Sequence, residues 1–372
     1  MVDSGLAMSA VMTTTPCPVQ PNGRRVPGCR GREAHGFQQR WLERLAFGPT
    51  PADDQLVQLW LGIFPVSWRQ LPDLDPLQRQ VDTIRRHLTG TYADLLQAMV
   101  ADPALQVSLN GLRSNRNQPN ENFARELLEL FSLGEGHYSE KDVMEAARAL
   151  TGYRRESDGG LRIDPSRHDD GTKTILGRSA RFDGPLLVAW LCEQPATSIN
   201  IVRRLWPSLV GPLPVKGRIE TIGRDWRQQQ LSLPWLISTL RRSPEARAAR
   251  GQRVDSPISL VTRSLALLGS RHPDAFAISR QQLTDMGQPP FDPPSVKGWP
   301  TNTEWINLRW FDGRRRGLQA LVADEEVWAA RKPPELLLPD LTPIPPLTLS
   351  LPTPPSRESF GLLFSDPVWN LS

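Results

Sequence analysis

Apolar residues recur every three to four positions through most of the chain, the spacing of helices that bury one face. The pattern begins near Phe37, where Trp41, Leu42, Leu45 and Phe47 follow, and runs to about residue 330. Local signals punctuate it. Asp75-Pro76 sets an N-cap before a proline at the first helical position, and Gly90 ends that helix. Thr91 and Asp94 are spaced as a capping box for Tyr92–Val100, and Asp102-Pro103 opens a short helix. Asn120 precedes a helix through Leu133 that Gly134 ends. Ser139 and Asp142 repeat the capping box for a helix to about Thr151, and Ser256-Pro257 opens one that Gly269 stops. Further helices are expected at about 184–206, 215–230, 233–249 and 272–286, with a last one ending near Ala330. Two stretches interrupt the pattern: 153–183 reads as mostly loop with a short strand at Leu161–Ile163, and 287–306 is a loop stiffened by prolines. The fold class is therefore mostly α, a single multi-helix domain over residues 37–330 with two long loops.

The ends differ. Residues 1–36 are rich in Pro, Gly, Ser, Thr and Arg and read as disordered, and ten prolines between Pro333 and Pro367 give residues 331–372 the same reading. The charge, 44 Lys+Arg against 40 Asp+Glu for a net +4, is mostly arginine interspersed with acids. No nucleic-acid-binding signature accompanies it, so solvated helix faces are the expectation. The three cysteines, Cys17, Cys29 and Cys192, form no CxxC, and the odd count argues against a disulfide framework. Cys192 lies in an apolar run and reads as a core residue. No apolar stretch approaches the ~20 residues that span a membrane. With no signal-peptide pattern, the expectation is a soluble cytoplasmic protein.

Candidate chemistry concentrates in 120–183. On a helical wheel Phe123, Leu127 and Leu130 share one side, while Asn122, Glu126 and Glu129 form a narrow polar stripe with Arg125 beside it. In the next helix Val143, Ala146, Ala147 and Leu150 oppose Asp142, Glu145 and Arg148. Two acids three apart can share a metal or split their pKa values for acid–base work. Nearby arginines can instead neutralise them, which is the commoner outcome. The loop after these helices holds His168, Asp169, Asp170 and Lys173, and a histidine among acids can ligate a metal or carry a proton. The loop 288–300, with Trp299 and Trp305 close by, reads either as ligand-lining or as a lid packed on the core. There is no GxSxG, Walker A, GxGxxG, HExxH or kinase set.

Three segments together resemble one family: NENFARELLELFSLGEGHYSEKDVMEAARALTG (120–152), HDDGTKTILG (168–177) and FDPPSVKGWPTNTEWIN (291–307). They are similar to the bacterial family called domain of unknown function 1800. The likeness extends to RLAFGPT near Arg44, to 84–105 and to the SPISLVTRSL helix, covering about residues 41–320. It implies a helical fold and no established reaction. Relatives are often exported and encoded beside secreted sulfatase-like proteins, which implies a co-encoded protein partner. This chain departs from the family where Trp60-Leu61-Gly62-Ile63-Phe64 carries Ile63 at a position often occupied by histidine.

Two functions follow. The first is a binding or scaffolding partner of another protein, with Asn122, Arg148, Trp299 and Trp305 as contact residues. The alternative is a metal-assisted hydrolase, with a divalent metal on Glu126, Glu129 and His168 and with Arg125 and Lys173 assisting.

Overall fold

The computed structural model describes residues 28–214, 217–332, 342, 345, 346 and 356–372. The expected disorder of residues 1–27, and of most of 333–355, lies outside the described residues. The chain is mostly helical and forms two compact units. One comprises Met1–Gln55, Ala248–Pro293 and Pro300–Ser372. The other comprises Leu56–Arg247 and Pro294–Trp299.

In the first unit α1 (Cys29–Phe47) packs on α13 (Pro257–Leu268) and α14 (Pro273–Asp285), and α14 packs on α15 (Leu308–Ala323). Phe37 and Trp41 meet Phe291, with ring centroids 4.9 and 5.7 Å apart. The RLAFGPT segment has a structural explanation. Arg44 donates through Nε to Asp54 Oδ1 at 2.8 Å, and both side chains are buried, so each supplies the other's counter-charge. Helix α1 begins eight residues before the expected start of order, and Ala34 is already core. Cys29 is disulfide-bonded, contrary to the expectation from the odd count, because three cysteines still allow one pair and one free thiol. Cys192 is free and buried.

The expected disorder also fails at the other end. Residues 356–372 form α17 (Arg357–Ser365) and a 3-10 turn at Pro367–Asn370, burying Phe360, Leu363, Phe364, Val368 and Trp369. Proline content dominated the sequence pattern there, although the last seventeen residues contain one proline and five large apolar side chains that pack.

The second unit is built on an aromatic core. Phe64 lies 5.2 Å from Phe131 and stacks at 6.5 Å on Tyr92, which meets Trp226 at 5.8 Å. Tyr92 donates its buried hydroxyl to the Phe131 carbonyl at 2.6 Å, so the ring is buried without an orphaned polar atom. Around this core stand α3 (Asp75–His87), α4 (Tyr92–Val100), α5 (Pro103–Ser108), α6 (Glu121–Glu129), α7 (Glu140–Ala149), α8 (Gly184–Glu193), α9 (Pro195–Leu209), α10 (Arg218–Gln228) and α11 (Leu233–Arg241). Both capping boxes form, at Thr91/Asp94 and at Ser139/Asp142. The expected 184–206 helix is two, because Gln194 precedes Pro195 and is driven to an extended conformation. Helix α6 stops at Glu129, short of Leu133. The next carbonyls turn outward to side chains, and the Gly134 amide returns to the Leu128 carbonyl at 3.2 Å.

The expected loop 153–183 contains two antiparallel hairpins: β1 (Tyr153–Arg155) with β2 (Leu161–Ile163), and β3 (Lys173–Ile175) with β4 (Arg178–Ala180). Leu176 and Gly177 form the second turn, both at positive φ. That is the geometry of a two-residue hairpin turn with leucine where asparagine is usual. Among the described residues no helix is long and apolar enough to cross a membrane.

Candidate functional site

The second unit sorts the candidate residues into two groups. The first joins α7 to the loop and hairpin that follow it. Arg148 donates to Asp169 through Nε at 2.7 Å and Nη2 at 3.2 Å, and through Nη1 to both Glu145 oxygens at 3.0 Å. Glu145 Oε2 also accepts the Thr174 amide at 3.0 Å. Asp142 accepts the Leu176 amide at 2.7 Å, which compensates the awkward turn residue. Lys173 is 1% exposed, and its ammonium donates to the carbonyls of Asp169 (2.5 Å), Gly171 (3.0 Å) and Phe182 (2.7 Å). The Arg148 guanidinium holds the Asp169 carboxyl below its ordinary range, and burial lowers the Lys173 ammonium. These bonds tie the segment 168–176 to α7 and to Phe182. We refer to this group as the staple.

His168 belongs beside the staple. Its Nδ1 lies 2.9 Å from the Thr151 carbonyl, which fixes the ring. It does not join Glu126 and Glu129 in a ligand set. Among the described residues no three His, Cys, Asp or Glu side chains are grouped to hold a metal. The expected Glu126, Glu129, His168 triad is therefore not assembled: Glu129 meets Tyr138 and Lys297, and His168 meets Thr151. Lys173 is likewise corrected from assisting cation to buried tether.

The second group gathers around the C-terminal half of α6. Glu129 accepts the Tyr138 hydroxyl at 3.0 Å and lies 3.9 Å from the Lys297 ammonium. Burial, then the bond to Glu129, pushes the Tyr138 hydroxyl up to about 12. Arg204 of α9 donates to the Leu130 carbonyl at 2.6 Å and approaches the Lys297 carbonyl at 3.4 Å. Asn200, one turn earlier, donates to the Glu129 and Ser132 carbonyls at 3.2 and 2.8 Å and so fixes α9 against the end of α6. The segment carrying Lys297 sits close to the end of α2 (Pro51–Ile63). A Cβ on Gly298, at φ +91°, would come within 2.5 Å of the Gly62 carbonyl oxygen, so this position requires glycine.

Glu126 is the exception in this group. Its carboxyl is partly buried, and no hydrogen bond or ion pair reaches it among the described residues. Burial first, and then the Glu129 charge, raise its pKa; Lys297, Arg125 and Arg204 oppose this from a distance. Arg125 is committed elsewhere, in a two-pronged bond to Glu140 at 2.7 Å on each side.

The remaining candidates scatter. Asn122 is exposed, with its amide nitrogen 3.5 Å from the Leu109 carbonyl. Trp305 is 1% exposed and packs on Trp310 at 5.4 Å, so it is core. Trp299 is half-buried, and its indole N–H is buried without an acceptor among the described residues. Ile63 is buried. Tyr138 and Arg204 were missed from sequence. Tyr138 lies in the turn after the glutamate stripe, and nothing local marks Arg204, which reaches the site only through helix packing.

The family model described as "Protein of unknown function (DUF1800)" matches residues 7–343. The chain belongs to the DUF1800 family. No curated protein and no solved structure matches it. The segments that carry the DUF1800 likeness in 120–177 are those that build α6, α7 and the staple, so much of that likeness reports on how this unit holds itself together.

Proposed function

We propose that this DUF1800 chain is a binding partner of another protein, and that the Glu126–Glu129 face of α6, with Tyr138, Arg204 and Lys297, is where the partner engages. The observation that carries this reading is the uncommitted Glu126 carboxylate. A partly dehydrated carboxylate without a donor costs some free energy, and an incoming donor removes that cost. The chemistry that fits is an N–H-bearing group, such as a lysine or arginine side chain of the partner. The metal-hydrolase alternative needs His168 beside the glutamates, and His168 lies at Thr151 instead.

The test is affinity capture with the full chain and with Glu126→Gln and Glu129→Gln, followed by titration of the recovered partner. Tenfold or greater weakening in both variants, with unfolding unchanged, supports the proposal. Equal affinity in all three places the contact elsewhere. Metal analysis of the same samples tests the alternative: stoichiometric divalent metal lost in both variants would favour it.

A further inference from the structure

Residues 356–372 are held within the first unit by main-chain pairing, side-chain hydrogen bonds and apolar burial. Their main chain pairs with 251–255: Val254 bridges Leu371 in antiparallel fashion, the Asp255 amide donates to the Asn370 carbonyl at 2.9 Å, and the Ser372 amide donates to the Arg253 carbonyl at 3.0 Å. Trp369 donates its indole N–H to Ser264 Oγ at 2.9 Å. Two guanidinium groups complete the clamp. Arg263 lies 4.4 Å from the Trp369 ring centroid, donates to the Trp369 and Leu371 carbonyls, and pairs with Asp255 at 3.2 Å. Arg314 donates to the Asp255 carbonyl at 2.8 Å and to Asn370 Oδ1 at 3.3 Å.

This clamp carries a cost. Arg263 and Arg314 are largely withdrawn from solvent; Arg263 pairs with the Asp255 carboxylate, while Arg314 reaches only the Asp255 main-chain carbonyl and feels that carboxylate through space. The Nε–H of each is buried without an acceptor among the described residues. Water would meet those donors and both charges if the segment lifted, so opening here recovers hydration that opening an apolar helix pair does not. Burial of Phe360, Leu363, Phe364, Val368 and Trp369 opposes it and keeps the closed form dominant. The segment also packs on α15 and the residues after it: Gln319 donates to the Gly361 carbonyl at 2.7 Å, Arg357 pairs with Glu325 at 2.8 Å, and Phe360 meets Trp328 at 5.8 Å. Because one continuous segment makes all of these contacts, lifting it breaks them together.

We propose that residues 356–372 form a C-terminal strap that opens from the first unit as one piece while α13 beneath it stays folded. Native-state hydrogen exchange on the full chain tests this. The expected result is one shared protection factor across α17, Leu371 and Ser372, at least tenfold below that of α13. Protection equal to that of α13, or a graded fraying from the chain end, overturns the proposal. Arg314→Met keeps the side-chain stem and removes the excess charge. It is expected to raise the strap's protection at least threefold without moving α13; a fall, or an equal rise in both, overturns the charge argument.

Discussion

Glu145 on α7 and Glu126 on α6 are carboxylates on the polar sides of amphipathic helices, each with an arginine within a turn. Glu145 receives Arg148 and the Thr174 amide. Glu126 receives no donor among the described residues, and its neighbour Arg125 turns to Glu140. The two regions also respond to pH with opposite signs. Asp169 of the staple is held below its ordinary value, so its contribution is present above the unfolded pKa and lost as pH falls through the folded one. Glu126 is raised, so its contribution is present below the unfolded pKa and lost as pH rises through the folded one. The same residue types thus hold structure where the backbone returns to meet them, and stay available where it does not.

The sharpest way to break this comparison is to remove the staple. Lys173→Ala orphans three carbonyls, that of Phe182 buried and those of Asp169 and Gly171 partly buried, and is expected to cost about 3 kcal/mol in urea unfolding, mostly from unmade hydrogen bonds. Arg148→Ala leaves Asp169 and Glu145 facing each other unpaired and is expected to cost about 2 kcal/mol, with Arg148→Lys only partly restoring the two-pronged geometry. A third substitution probes the same unit by pH. Asp102 is buried at the start of α5 with its pKa raised to about 7 by burial. Folding stability should therefore decline between about pH 4 and pH 7 from this group, and Asp102→Asn should flatten that slope in unfolding measured across the range. The smallest effect is expected at Glu126→Gln: no loss of stability at neutral pH, and a slight gain over the parent as pH rises and the raised Glu126 carboxyl ionises.

Much of the fold was legible because local chemistry determined it. The two capping boxes, the Gly269 stop and the amphipathic stripes of α6 and α7 need only neighbours in sequence. The β3–β4 hairpin was not legible, since Leu176-Gly177 lacks the usual asparagine and the turn depends on Asp142 from another element. The C-terminal strap was hidden by the prolines before it. For the site, the glutamate stripe on α6 was readable from spacing. The separation of His168 from it was not, because proximity in sequence says nothing about which way a loop folds. Arg204 and Lys297 arrive from α9 and from the 294–299 segment, and only packing brings Arg204 to the Leu130 carbonyl and Lys297 to Glu129.

The most direct measurement is the urea unfolding midpoint at neutral pH of Arg148→Ala and Glu126→Gln beside the parent chain. The account predicts a clear fall for Arg148→Ala and an unchanged or higher midpoint for Glu126→Gln. A fall of similar size in both would mean that Glu126 is already committed within the folded chain, and that α6 carries no carboxylate free to receive a partner.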